Sequence, residues 1–140
     1  MKKNQCPCCS GKTYATCCKP YHEGKEKIPD AQALMRSRYT AYAKYLTDYI
    51  VDTTHPKHPH FRSDTVQWKK DILDSCKNIK LHDLNIVNFT DGEKEGWVSF
   101  IASYTENGQE FQLIEKSYFV NEKDRWLYRD GTFTVEPAKK

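Results

Sequence analysis

Between residues 31 and 51 apolar side chains return in alternating steps of four and three, at Met35, Tyr39, Tyr42, Leu46 and Tyr49. At about 100° per residue these positions share one helical stripe. Asp30 ahead of them has the short acceptor side chain of an N-cap, and His55-Pro56 closes the pattern because the residue before a proline avoids helical backbone. The spacing predicts one helix from Ala31 to about Val51, its stripe facing a sheet. Arg38 falls at the edge of that stripe, one turn from Leu34, Met35 and Tyr42, whereas Arg36 lies on the opposite side with Lys44. A second helix is predicted from Asp64 to about Lys77, with a partial stripe of Val66, Lys69, Ile72, Leu73 and Cys76 and with Trp68 beside it. Cys76 then serves as a small buried hydrophobe.

After residue 80 the period drops to two, the signature of strands. Leu84–Phe89 runs to Asp91-Gly92, Trp97–Tyr104 to Asn107-Gly108, Glu110–Val120 to Asn121, and Trp126–Arg129 to Asp130-Gly131. Four antiparallel strands joined by three hairpins, preceded by helices, predict an α+β half-open cone with the long helix across the concave face. On the third strand Phe111, Leu113, Glu115, Ser117 and Phe119 share a face, and its apolar members mark it as the inner one. Glu115 is therefore expected inside, where a lone carboxylate needs a partner, and Arg38 on the helix above is the candidate. His55 approaches the same mouth. Two readings stand: an internal ion pair that orients helix on sheet, or a ligand or catalytic site built on Arg38, His55 and Glu115. His55, His58 and His60, interleaved with Pro56 and Pro59, read as a solvated loop rather than a metal site.

The first thirty residues follow neither period and hold few large apolar side chains, but they hold five cysteines: Cys6, Cys8, Cys9, Cys17 and Cys18. Cys6 and Cys8 form one pair, Ser10-Gly11 supplies turn chemistry, and Cys17 and Cys18 form a second pair. Two short pairs separated by a turn deliver the tetrahedral thiolate set that Zn²⁺ takes, and the metal supplies the folding free energy that so small a segment cannot gain by burial. The reading is one Zn²⁺ per chain on Cys6, Cys8, Cys17 and Cys18, with disulfides or an iron–sulfur cluster as alternatives. Cys9 is a spare thiol, open to oxidation beside the cluster, and His22 is a bystander. The polar stretch from His22 to Pro29 reads as a linker, dividing the chain into a zinc module at 1–28 and an α+β domain at 29–140.

The chain has 140 residues and a formal net charge of +3. A four-thiolate zinc centre carries about −2, so the lysines of the module give a nucleic-acid partner little support. Met1-Lys2-Lys3-Asn4-Gln5 leads into cysteines rather than an apolar stretch, and no run reaches the length of a membrane span. A cytoplasmic protein without membrane insertion is expected.

Cys6-Pro7-Cys8, Ser10-Gly11, Tyr14 and Cys17-Cys18 resemble the SEC-C motif, the zinc module at the tail of the bacterial preprotein translocase ATPase. There the module contacts a chaperone and the ribosome, so the resemblance implies macromolecular docking. Cys9 stands where the motif usually has glycine. Ala33–Tyr39 with Ala41-Tyr42, Thr54-His55-Pro56, Glu115-Lys116-Ser117, Trp126-Leu127-Tyr128 and Asp130-Gly131 are similar to the YchJ-like family of uncharacterised bacterial proteins. That resemblance implies a SEC-C-type module joined to a domain of the nuclear transport factor two-like (cystatin-like) fold. Some members carry a second zinc module at the C-terminus; Thr134–Lys140 has no cysteine. Docking of a protein partner through the zinc module is the leading functional reading. An enzyme or small-ligand-binding protein using the cone pocket is the alternative, with Glu115 or His55 as acid or base, though no nucleophile–base pair stands out. A ribosome- or RNA-associated factor is the third.

Overall fold

The computed structural model describes residues 5–138. A 3₁₀ turn at Tyr14–Thr16 precedes helices α1 (Lys19–His22), α2 (Ala31–Ala43), α3 (Thr47–Asp52) and α4 (Thr65–Lys77). Strands β1 (Ile79–Asp91), β2 (Glu95–Glu106), β3 (Gln109–Glu122) and β4 (Arg125–Pro137) follow. They form one antiparallel sheet in the order β1-β2-β3-β4, as the alternation predicts, and the helices with this sheet make the α+β cone. No helix among the described residues is long and apolar enough to cross a membrane.

Both predicted caps form: the Asp30 carboxylate accepts from the Ala33 N–H and that of Asp64 from the Gln67 N–H. The single long helix does not. It stops at Ala43, where the Tyr45 N–H donates to the Tyr42 carbonyl and the Leu46 N–H to the Ala41 carbonyl at 2.8 Å. This is a Schellman closure with Tyr45 in the left-handed region at φ 62°, a place glycine usually takes. The chain then turns and restarts as α3.

The Asn107-Gly108 pair has positive φ at both residues, the type I′ geometry that fits the strand twist. Lys123 and Asp124 adopt the same geometry between β3 and β4 without the side chains that usually announce it. Asp130-Gly131 does not end β4, contrary to the sequence reading. Tyr118 pairs with Asp130 and Phe119 with Tyr128, so Arg129 is an extra residue, a bulge, and the strand runs on to Pro137.

The inner sheet face carries Val98, Phe100, Ala102 and Phe119, all buried, under Leu34, Met35 and Tyr39 of α2. Helix and sheet meet closely at Gly96, where a Cβ would lie 2.6 Å from the Ala31 Cβ. Helix α2 is buried on its other side too, since Ser37 and Thr40 are fully covered. Cys6 lies over Thr40, and His22 and Tyr49 lie over Ser37. The hydrophobic core runs without a break from Cys6, Cys8 and Cys18 through Leu34 to Phe119 and Trp126.

Candidate metal centre and cone cavity

Cys6, Cys8, Cys17 and Cys18 converge, with their sulfurs all within 4.8 Å of one another. The Lys12 carbonyl takes the Cys6 N–H and Gln5 bridges to Thr13, so the segment doubles back. The 3₁₀ turn then delivers Cys17 and Cys18, with the Cys17 N–H on the Tyr14 carbonyl. Cys9 makes the first bend at φ 63° and Gly11 the second at φ 86°. Cys9 thus occupies the left-handed conformation that explains a glycine preference there, and its side chain is exposed, off the cluster.

A tetrahedral ion with metal–sulfur bonds of about 2.3 Å requires sulfurs about 3.8 Å apart. Cys8 and Cys17 are 3.6 Å apart, and Cys17 and Cys18 3.9 Å. All six cysteines are free thiols, and those spacings fit a metal and not a disulfide, whose sulfurs sit about 2.05 Å apart. The Ser10 hydroxyl lies 3.2 Å from the Cys17 sulfur and the Thr40 hydroxyl 3.5 Å from that of Cys6. Within the cluster hydrogen bonding with Cys18 and then Cys6 holds the Cys8 pKa far below the ordinary value, while hydrogen bonding with Cys6 and then Cys8 holds that of Cys18 far above it. Burial pushes the Cys17 thiol up to about 11. Cys8 is thus the favoured thiolate while Cys17 and Cys18 hold their protons more tightly, and a cation entering the cluster displaces those protons.

The module is fastened to α2 by residues whose part the sequence did not disclose. Arg36 Nη1 donates to the Cys8 carbonyl at 2.7 Å. His22, outside the cysteine cluster as read, accepts from the Tyr14 hydroxyl at Nδ1 and donates from Nε2 to the Ser37 carbonyl, each at 2.8 Å. Its ring packs edge-on against Tyr49 at 4.7 Å, and the Lys44 ammonium lies 4.1 Å over the Tyr14 ring. Arg36 and Lys44, read as the face away from the sheet, are the face on which the module sits.

Under the other side of α2 the cone opens into a cavity of about 1190 Å³, walled by Met35, Trp68, Phe100, Leu113 and Phe133 among others. Arg38 and Glu115 both reach it, as expected, but they do not pair. Arg38 Nη1 donates to the Ile50 carbonyl and the hydroxyls of Thr53 and Thr54, at 2.9, 2.7 and 3.1 Å. Its guanidinium lies 4.7 Å over the Tyr128 ring. Glu115 Oε2 instead accepts from the Tyr128 hydroxyl at 2.7 Å and the Ser117 hydroxyl at 2.5 Å. Tyr128 stands between the two charges. Burial, with the Glu115 charge next, pushes its pKa well above the usual phenol value, so it remains a donor. Gly131 makes the room, since a Cβ there would meet the Tyr128 hydroxyl at 2.5 Å.

His55 is buried but does not line the cavity. Its Nδ1 accepts the Lys57 N–H and its Nε2 donates to Glu122 Oε1 at 2.8 Å, while its own backbone N–H bonds the Tyr128 carbonyl. That pairing to β4 pulls it outward. His58 takes the place foreseen for it, tilted against Tyr128 at 4.7 Å. Burial, then His60 and Arg38, lower the His58 pKa to about 4. The histidine loop is therefore solvated only in part.

Compared with known proteins, residues 30–131 match the family described as "YchJ, middle NTF2-like domain". A UPF0225 protein of Serratia proteamaculans is 37% identical over 131 residues, which cover 91% of this chain and 82% of that protein. Among solved structures, a SEC-C motif containing protein from Rhodopseudomonas palustris superposes with a TM-score of 0.78 at 32% identity, over 91% of this chain and 96% of that one. A second, from Psychrobacter arcticus, gives 0.72 at 26% identity, over 88% and 78%.

Proposed function

The chain belongs to the YchJ-type UPF0225 family, and from that premise we propose that it is a zinc-stabilised binding protein whose cone cavity receives a small ligand. The zinc is structural. Cys6, Cys8 and Cys18 are at most 1% exposed, and four protein sulfurs fill a tetrahedral shell, leaving no position for water or substrate. When bound, the ion closes the module and holds it on α2 through Arg36, His22 and Thr40. Helix α2 in turn carries Arg38 into the cavity from its other side. The observation that carries the reading is the cavity itself: a concave, mainly apolar space with a few fixed polar groups at one end, the form small-molecule sites take.

Two measurements test it. Elemental analysis of protein purified without added metal should find one zinc per chain, and absence of metal with freely titrating thiols would overturn the structural role. Ligand-observed NMR with a set of aromatic fragments should give contacts to Trp68 and Phe133 resonances. Contacts confined to the outer sheet face would overturn the cavity reading.

Docking through the module is the second reading. It is supported by the ridge that α2 leaves uncovered, Cys9 and Gly11 to Thr13 with Ala15, Thr16 and Lys19, all exposed, and by likeness to SEC-C proteins. A protein partner would lose affinity on substitution of Lys12 and Thr16 with little dependence on salt. Steep weakening with salt would instead mark RNA or the ribosome.

A further inference from the structure

We propose that the cavity is built for an organic monocarboxylate with an apolar body, its carboxylate seated on the unused edge of Arg38. The inference rests on the cavity being a binding site and names its ligand class. Arg38 is 8% exposed, a guanidinium taken almost entirely out of water. Its Nη1 is spent on a carbonyl and two hydroxyls, all neutral acceptors. Its close hydrogen bonds among the described residues all leave from Nη1, the neutral Tyr42 hydroxyl is a further polar group within its reach, and none of the ion pairs among those residues involves Arg38. The Tyr128 ring beneath it offers a quadrupole, which offsets part of the charge, but no negative charge.

A buried cation kept from direct pairing with Glu115 by the Tyr128 hydroxyl is an unfavourable arrangement that the fold maintains here by tying α3 to α2. The arrangement makes sense if the counter-ion comes with a ligand. The Nε–Nη2 edge is the planar fork that matches a carboxylate with two parallel hydrogen bonds. Glu115 decides between anions. It lies in the same cavity, on the far side of the Tyr128 hydroxyl, and its charge opposes a second negative charge, which disfavours a phosphate dianion against a monoanion. Phe100, Leu113, Phe133 and Trp68 supply the apolar walls for the remainder of the ligand, and Phe133, 59% exposed, stands where the cavity opens.

Titration calorimetry on the full, zinc-loaded chain tests this with three probes of one shape: 3-phenylpropionate, its neutral amide, and 2-phenylethyl phosphate. The carboxylate should bind at least about tenfold more tightly than either of the others. Arg38→Lys, which keeps the charge and loses the fork, should abolish that preference. Because Arg38 also ties α3, Phe133→Ser at the exposed rim provides a variant that leaves the fold alone, and it should weaken all three probes in parallel. Equal binding of carboxylate and amide would overturn the carboxylate proposal and leave the cavity reading standing. Tighter binding of the phosphate would overturn it in favour of a dianion site. Binding of none at roughly 10 mM would remove both.

Discussion

Removing the Tyr128 hydroxyl isolates the contact on which the polar end of the cavity depends. Tyr128→Phe keeps the ring under the Arg38 guanidinium and deletes the donor 2.7 Å from Glu115 Oε2. A hydrogen bond to a charged group contributes about 1.5–3 kcal/mol. Glu115 is only half-buried and keeps the Ser117 hydroxyl, so the lower end applies, about 1.5 kcal/mol, or a fall in Tm of about 5 °C for a domain of this size. Urea unfolding of Tyr128→Phe, Glu115→Met and the double variant separates this bond from ordinary repacking. The expected coupling between the two sites is about 1.5 kcal/mol. A direct Arg38–Glu115 ion pair, the arrangement the sequence suggested, would make the hydroxyl nearly irrelevant. Coupling below about 0.5 kcal/mol, the additivity error for independent sites, would refute the bridging role.

Other outcomes follow from single contacts. Thr40→Val, close in shape, should weaken zinc binding about tenfold by removing the hydroxyl beside Cys6; competition with a chromogenic chelator reads this, and unchanged affinity would reduce Thr40 to a space-filler. Cys9→Gly relieves a left-handed residue and should raise stability by up to about 1 kcal/mol while keeping the zinc content, whereas a loss of stability would show that the Cys9 side chain supports the bend. His58 has its folded pKa depressed to about 4, below the ordinary 6.5. As pH falls from about 6.5 to 4 the unfolded chain takes up this proton first, so the His58 contribution to stability is full above 6.5 and lost on the way down. His58→Asn should flatten that part of the Tm–pH curve, and an unaltered slope would remove the assignment. Gly96→Ala drives a methyl into Ala31 and should cost about 1–3 kcal/mol, checked by thermal unfolding against Gly108→Ala as a control for backbone strain without a clash.

Strands β2 and β3 were legible because both are long and alternate, with Asn107-Gly108 between them; Val98, Phe100 and Ala102 face inward as the period of two requires. The break after Ala43 was not legible, because Tyr45 fills a position where glycine would have announced it, and the apolar stripe continues across the gap through Leu46 and Tyr49. The bulge at Arg129 was hidden for a related reason. Asp130-Gly131 is turn chemistry in a sequence, but here the glycine is needed for space beside Glu115 and Tyr128. The cluster of Cys6, Cys8, Cys17 and Cys18 was readable since short pairs around a turn admit few other geometries.

The role of the remaining site residues depends on contacts that cross the chain, which a local pattern cannot carry. Arg38 was rightly placed at the inner edge of its helix, but its choice of partners was decided by the Schellman turn, which brings Ile50, Thr53 and Thr54 back beneath it. A continuous helix to Val51 would have carried those residues away and left Glu115 as the nearest acceptor. The same helix explains why a module of such modest size stays attached. Its outer face gives Arg36 to the Cys8 carbonyl and Thr40 to the Cys6 sulfur, while its inner face gives Arg38 to the cavity one turn away. Helix α2 is thus a shared wall between the cysteine cluster and the cavity. A cysteine module and a cone domain that look separable in sequence share, through thirteen helical residues, one continuous core.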